Sequence, residues 1–161
     1  MLLPELEADE TFLASSYGED IQALVAYWRK IHPTDGLPGR QHFDPIDIPE
    51  LLPHIWLADV SRDPWRFRLR LIGTAIVAAS GRDSTGLWCD EAFVNFDSSS
   101  ACRHLITCAG DGVPVFCTAP ALPKPGRRNL ADRLAQRVHL PLATDGRTTD
   151  VILSLTRYLP V

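Results

Sequence analysis

The chain has 161 residues, 45% of them apolar and 22% charged, which is ordinary for a globular protein of one domain that buries roughly 70% of its unfolded surface. Its net charge is −4, with six acids and no Lys or Arg in residues 1–20, and 14 acids against 16 bases in the rest. That balance argues against nucleic acid as a partner. No apolar run approaches the ~20 residues of a membrane span. No basic-then-apolar leader opens the chain, so the cytoplasm is the expected compartment.

Residues 1–16 read as an acidic leader, in which Leu2, Leu3, Leu6, Phe12 and Leu13 show no clear period. Ser16 and Glu19 have capping-box spacing, and Ile21, Leu24, Val25, Trp28 and Ile31 form one apolar stripe. These predict an amphipathic helix over 17–32, stopped by Pro33. Prolines 38, 45, 49 and 53 then make the chain irregular.

Residues 55–60 are apolar on both parities, and residues 65–72 alternate Trp65, Phe67, Leu69 and Leu71 against Arg66, Arg68 and Arg70. With the short turn between them, they predict a β-hairpin whose second strand is a half-buried edge. A short helical segment is expected over 74–79. A longer helix is expected from a cap at Asp97 or Ser98 to Gly110, with Cys102, Leu105, Ile106 and Ala109 facing inward. Residues 113–119, 133–142 and 148–158 predict three more strands, the last two joined at Asp145-Gly146. The segment between them, including Lys124-Pro125-Gly126-Arg127-Arg128, reads as a solvated loop.

This order of elements resembles a PAS domain, and the local residues resemble the single-domain PAS_5 type common in alphaproteobacteria. The matching pieces are Tyr27-Trp28, Asp44-Pro45, Leu51-Leu52-Pro53, Leu57-x-Asp59-Val60, the run from Phe67 to Thr74, the run from Gly81 to Gly86, Leu140-Pro141-Leu142 and Asp145-Gly146. The resemblance implies an α+β fold: a five-stranded antiparallel sheet in the order 2-1-5-4-3 with helices on one face. The domain would span residues 17–161. Strands one and five, apolar on both sides, suit central positions, so the N-terminal helix is expected to cover the outer sheet face and to border a homodimer.

The chemistry-bearing motifs are few. His32, His42, His54, His104 and His139 include no helical metal pair, and the four cysteines have no CxxC spacing, so neither a metal nor a catalytic site is expected. Cys89, Cys102, Cys108 and Cys117 read as small core residues. No phosphate loop or nucleophile elbow is present.

PAS domains can hold haem or flavin, and the residues here argue against both. His104 lies roughly 120° off the apolar arc of its helix, against a haem ligand. Gly81-Arg82-Asp83-Ser84 lacks the Asn-Cys-Arg setting of a photoactive flavin site. No cofactor is therefore expected.

A small-molecule pocket would lie among Phe67, Leu69, Leu71, Ile76, Trp88, Phe93, Leu105 and Ile106, an interior expected to be wholly apolar. Leu24, Trp28, Ile31, Arg66, Arg68 and Arg70 are the expected surface for a protein partner or second copy, the arginines receiving the acidic leader. The functional expectation is a non-catalytic sensory or protein-interaction module of bacterial signalling. The alternatives are a small cone-fold enzyme of the NTF2-like kind, or a closed structural dimerisation module.

Overall fold

Five strands form one antiparallel sheet in the order β2-β1-β5-β4-β3 in the computed structural model, which describes residues 14–125 and 133–160. The strands are β1 (Ile55–Ser61), β2 (Arg66–Ile72), β3 (Val115–Pro120), β4 (Leu134–Leu142) and β5 (Val151–Tyr158). The helices are α1 (Glu19–Lys30), α2 (Thr74–Ser80), α3 (Cys89–Ala92) and α4 (Ser100–Asp111), with four 3₁₀ turns among the described residues. The α+β class and the strand order both follow the sequence reading. The acidic leader lies almost wholly outside the described residues, as does the Gly126-Arg127-Arg128 part of the basic loop.

The centre of the sheet is buried on both sides because both sides are covered. Along β5, Val151, Leu153 and Leu155 join one core with Leu57, Val138, Leu140 and Leu142, while Ile152 joins a second core on the opposite face. Side-chain alternation along a strand makes this division automatic.

Helix α1 covers the first face. Its stripe of Ile21, Leu24, Val25 and Trp28 is buried there. The Trp28 indole N–H donates to Pro141 O at 3.0 Å, inside the core. Asp20 pairs with Arg157 of β5. The Tyr27 hydroxyl accepts from the Asp44 amide at 3.0 Å and donates to the Asp47 carboxylate at 2.9 Å, which fastens the proline-rich segment over the helix.

One local expectation needs correction here. The Ser16–Glu19 capping box does not form: Gly18 is the N-cap, and its amide donates instead to Gln136 Oε1 at 3.0 Å. A long-range partner on β4 replaces the local one. The helix itself lies where the sequence put it, on the outer face of the sheet, opposite α3 and α4.

The edge hairpin departs from strict alternation. Ala58 pairs with Leu69, but Leu57 pairs with Leu71, so Arg70 is an extra residue in a β-bulge. Past the bulge the facing of every side chain inverts. Leu71 is 40% exposed, and it is Ile72 that packs against the second core. The expectation that Leu71 points inward with Phe67 and Leu69 is thus overturned by one inserted residue.

The chain then turns into α2 at Gly73, whose amide donates to Ile55 O at 2.7 Å. An added Cβ there would lie 2.3 Å from Pro53 O and 2.5 Å from Leu52 O, so only glycine fits. Farther along, the cap of α4 is Ser99, its hydroxyl accepting from the Cys102 amide at 3.1 Å, and the helix ends at left-handed Gly112.

Candidate functional site

Alternation on the second sheet face sets a row of side chains under α4. Trp56 of β1 pairs in register with Ser154 of β5, Ser154 with His139 of β4, and His139 with Val115 of β3. The next row brings together Thr156, Arg137 and Cys117. The Trp56 indole N–H donates to Thr156 Oγ1 at 2.9 Å, and His139 Nδ1 lies 2.7 Å from Ser154 Oγ. The Trp56 and His139 rings meet edge to face at 5.5 Å.

Above this floor, α2, α3 and α4 leave a cavity of about 110 Å³. Its roof is Ile76, Phe93, Phe96 and Leu105, and Leu69 and Ile72 close the β2 side. Its floor carries Arg137, His139, Thr156 and Tyr158, and His104 enters from the flank of α4. The interior is therefore polar along its floor, where the sequence reading expected a wholly apolar one. The polar residues were missed because the inward parity of β4 is set by strand pairing. Periodicity in Leu134–Leu142 alone does not reveal it. His104 was missed for a related reason: α4 packs against β3, β4 and β5 together, so the contacting arc is wider than its apolar stripe.

The electrostatics follow from burial. The ring of His139 has its pKa lowered to about 3, first by desolvation and then by the charges of Arg137 and His104, so it is neutral. His104 is also lowered, chiefly by burial. Burial pushes the Cys117 thiol and the Tyr158 hydroxyl up, and Arg137 pulls both partly back. Arg137 is thus the charge felt by four side chains around the cavity. Its guanidinium lowers the Cys117 thiol pKa and is not ion-paired with any carboxylate among the described residues. No Asp or Glu among the described residues lines the cavity.

Lys124 closes one corner. Although it sits in the segment expected to be a solvated loop, it is 5% exposed. Its ammonium donates to Ser80 Oγ at 3.0 Å and to Arg82 O at 3.2 Å, and lies 5.7 Å from the Phe93 ring centre.

A family model described as "PAS domain", PAS_5, matches residues 18–156. The chain belongs to the PAS family. Among solved structures, this PAS domain is similar to one reported under the words "Flavin Analogue Sheds Light on Light-Oxygen-Voltage Domain Mechanism". The two superpose with a TM-score of 0.50 at 10% sequence identity, over 71% of this chain and 83% of that one. At that identity the likeness is one of fold. No curated protein matches.

The residues of this PAS domain do not fit a flavin in the cavity as it stands. A cavity of about 150 Å³ holds a single benzene ring, and 110 Å³ leaves no room for three fused rings. Among the described residues, no cluster of three or more His, Cys, Asp or Glu could hold a metal ion, and no helix is long and apolar enough to cross a membrane. The four cysteines are buried and unbridged.

Of the pocket residues expected from the sequence, the PAS fold brings Leu69, Ile76, Phe93 and Leu105 to the cavity wall. Phe67 lies behind it, edge-on to Phe96 at 6.5 Å, and Ile106 packs in the same cluster. Trp88 sits at the β2 edge beneath the Arg66 guanidinium, 4.2 Å from its ring centre. Leu71 faces the opposite side of the sheet.

The expected partner surface is largely occupied within the chain. Leu24 and Trp28 are 0% and 3% exposed under α1, and Ile31 packs partly buried against the same core, so these side chains are sheet cover. Arg66 makes two hydrogen bonds to Asp90, at 2.8 and 2.9 Å. Arg70 pairs with Asp59 at 3.5 Å, and Arg68 donates to Gly86 O at 3.0 Å. Each arginine has a neighbour on the same edge, reached without the leader.

Proposed function

We propose that this PAS domain is a non-catalytic sensory module of cytoplasmic signalling, in which the cavity takes a small molecule and α1 transmits its presence to a protein partner. The observation that carries the reading is the shared wall. Arg137 and His139 of β4 border the cavity, while Val138 and Leu140 of the same strand pack under α1. Thr156 of β5 borders the cavity, and its neighbour Leu155 packs under α1. A ligand that shifts these strands acts on the helix through one layer of alternating side chains, and biases it by its differential affinity for the two arrangements. The outward residues Gln22, Ala23 and Ala26 of α1 are exposed and form the surface a partner, or a second copy in a homodimer, would read.

An enzyme reading lacks support from the site: the hydrogen-bonding neighbour of buried His139 is Ser154, and no carboxylate orients the ring as a base.

Native mass spectrometry of the protein taken from its host tests the reading. A bound small molecule, together with slower hydrogen exchange in α1 than in the stripped protein, is the expected result. Protein that is ligand-free from its host, with α1 exchange unmoved by any compound entering the cavity, would overturn it.

A further inference from the structure

We propose that the ligand of this cavity is a small aliphatic monocarboxylate, its carboxylate held by Arg137 and its hydrocarbon body packed among Ile76, Phe93 and Leu105. The inference rests on the ligand-binding reading above and deepens it.

Three observations carry it. The first is charge. Arg137 brings a permanent positive charge to the floor, no carboxylate lines the cavity, and the guanidinium is not ion-paired among the described residues. A partly buried guanidinium without an anion keeps a desolvation cost that a ligand carboxylate offsets, in a planar two-bond geometry suited to it. The other cation of the lining, Lys124, is engaged with Ser80 Oγ and Arg82 O, and burial lowers the pKa of both histidines, so Arg137 is the charge available to a single carboxylate.

The second is polarity. Ile76, Phe93, Phe96 and Leu105 form an apolar stretch of the wall with no side-chain hydrogen-bonding group, while Ser100, Lys124 and the floor residues supply its polar part. The ligand is therefore charged at one end and apolar at the other.

The third is size. Scaled against a cavity of about 150 Å³ that takes the six non-hydrogen atoms of benzene, 110 Å³ takes roughly four or five, three of them the carboxylate itself. A two- or three-carbon acid such as propionate fits, whereas a branched or long-chain acid does not.

Titration calorimetry of the full chain with propionate, with its neutral amide propionamide, and with inorganic phosphate tests this. Backbone and methyl NMR shifts at Ile76, Phe93 and Leu105 locate the binding. The acid is expected to bind about tenfold or more tightly than the amide, as a charge-assisted pair requires. Arg137→Gln is expected to remove that advantage while leaving the amide's affinity unchanged. Equal affinity for acid and amide would overturn the carboxylate assignment and leave the ligand reading standing. Phosphate displacing propionate with equal affinity would likewise overturn it, showing a site for anions without an apolar body. If neither acid nor amide moves the three cavity residues, this inference falls, while the ligand reading is decided by native mass spectrometry of the protein from its host. Should Arg137→Gln fail to fold, the wild-type comparison of acid with amide decides alone.

Discussion

His139 Nδ1 lies 2.7 Å from Ser154 Oγ across the β4–β5 pair, fully enclosed beneath α4. The bond satisfies one ring nitrogen of a histidine that the fold keeps neutral, with a pKa lowered to about 3 by burial and by the charges of Arg137 and His104. An unfolded histidine titrates near ~6.5, so below that pH the unfolded chain binds a proton the folded one refuses. Stability from this group is complete above ~6.5 and is lost as pH falls toward 3, by up to ~1.4 kcal/mol per pH unit. Urea unfolding at pH 7.5, 6 and 5 should show a shallower acid decline for His139→Gln than for the wild type. Parallel declines would mean that His139 is not the group that titrates on unfolding.

Gly73→Ala is expected to destabilise the fold by about 1–3 kcal/mol through overpacking. The added methyl would meet Pro53 O at 2.3 Å and Leu52 O at 2.5 Å, both backbone atoms with little room to move. The midpoint of chemical unfolding measures it. A midpoint equal to that of the wild type would show that the β2–α2 junction gives way freely.

Trp28→Phe keeps most of the ring burial under α1 but removes the indole donor to Pro141 O. A buried carbonyl left without its partner costs about 1–3 kcal/mol. The loss should appear both in global stability and as faster hydrogen exchange in α1. A variant with unchanged exchange in α1 would show that the helix is held by its apolar stripe alone.

The bulge makes Leu69 and Leu71, two positions apart on one strand, behave oppositely. Leu71→Ser should change stability by no more than about 0.5 kcal/mol, because the side chain is 40% exposed. Leu69→Ala, at 3% exposure in the second core, should cost about 2–5 kcal/mol. Equal costs at the two sites would mean that the strand alternates without interruption.

Much of the architecture was legible before any coordinates. The stripe from Ile21 to Trp28 announced a sheet-covering helix, and apolar residues on both parities of β1 and β5 placed those strands centrally. Phe67 to Thr74 and Gly81 to Gly86 pointed to the PAS family, which the match over residues 18–156 bears out. Half of the expected pocket wall, Leu69, Ile76, Phe93 and Leu105, does line the cavity. The rest of the site was not legible, because its members come from strands whose inward parity depends on partners. Arg137 and His139 lie in a run whose facing is settled only when β4 pairs with β3 and β5. Leu71 was misplaced because a bulge has no signature in the alternation of the strand that carries it. Lys124 looked like part of a solvated basic loop, yet Ser80, Arg82 and Phe93 enclose it from other elements.

By itself the amino-acid order determined what repeats locally: which segments are helix or strand, which strands are covered twice, and which family the pattern belongs to. Those properties arise from residues within a few positions of one another, and periodicity records them directly. Tertiary structure alone decided the chemistry of the cavity. It put a guanidinium that is not ion-paired among the described residues, two imidazoles with pKa lowered by burial, and a roof of Ile76, Phe93, Phe96 and Leu105 around the same 110 Å³. A site of that kind is made where side chains from five strands and three helices converge, and convergence follows from pairing register and a single inserted residue, neither of which is written in any one segment.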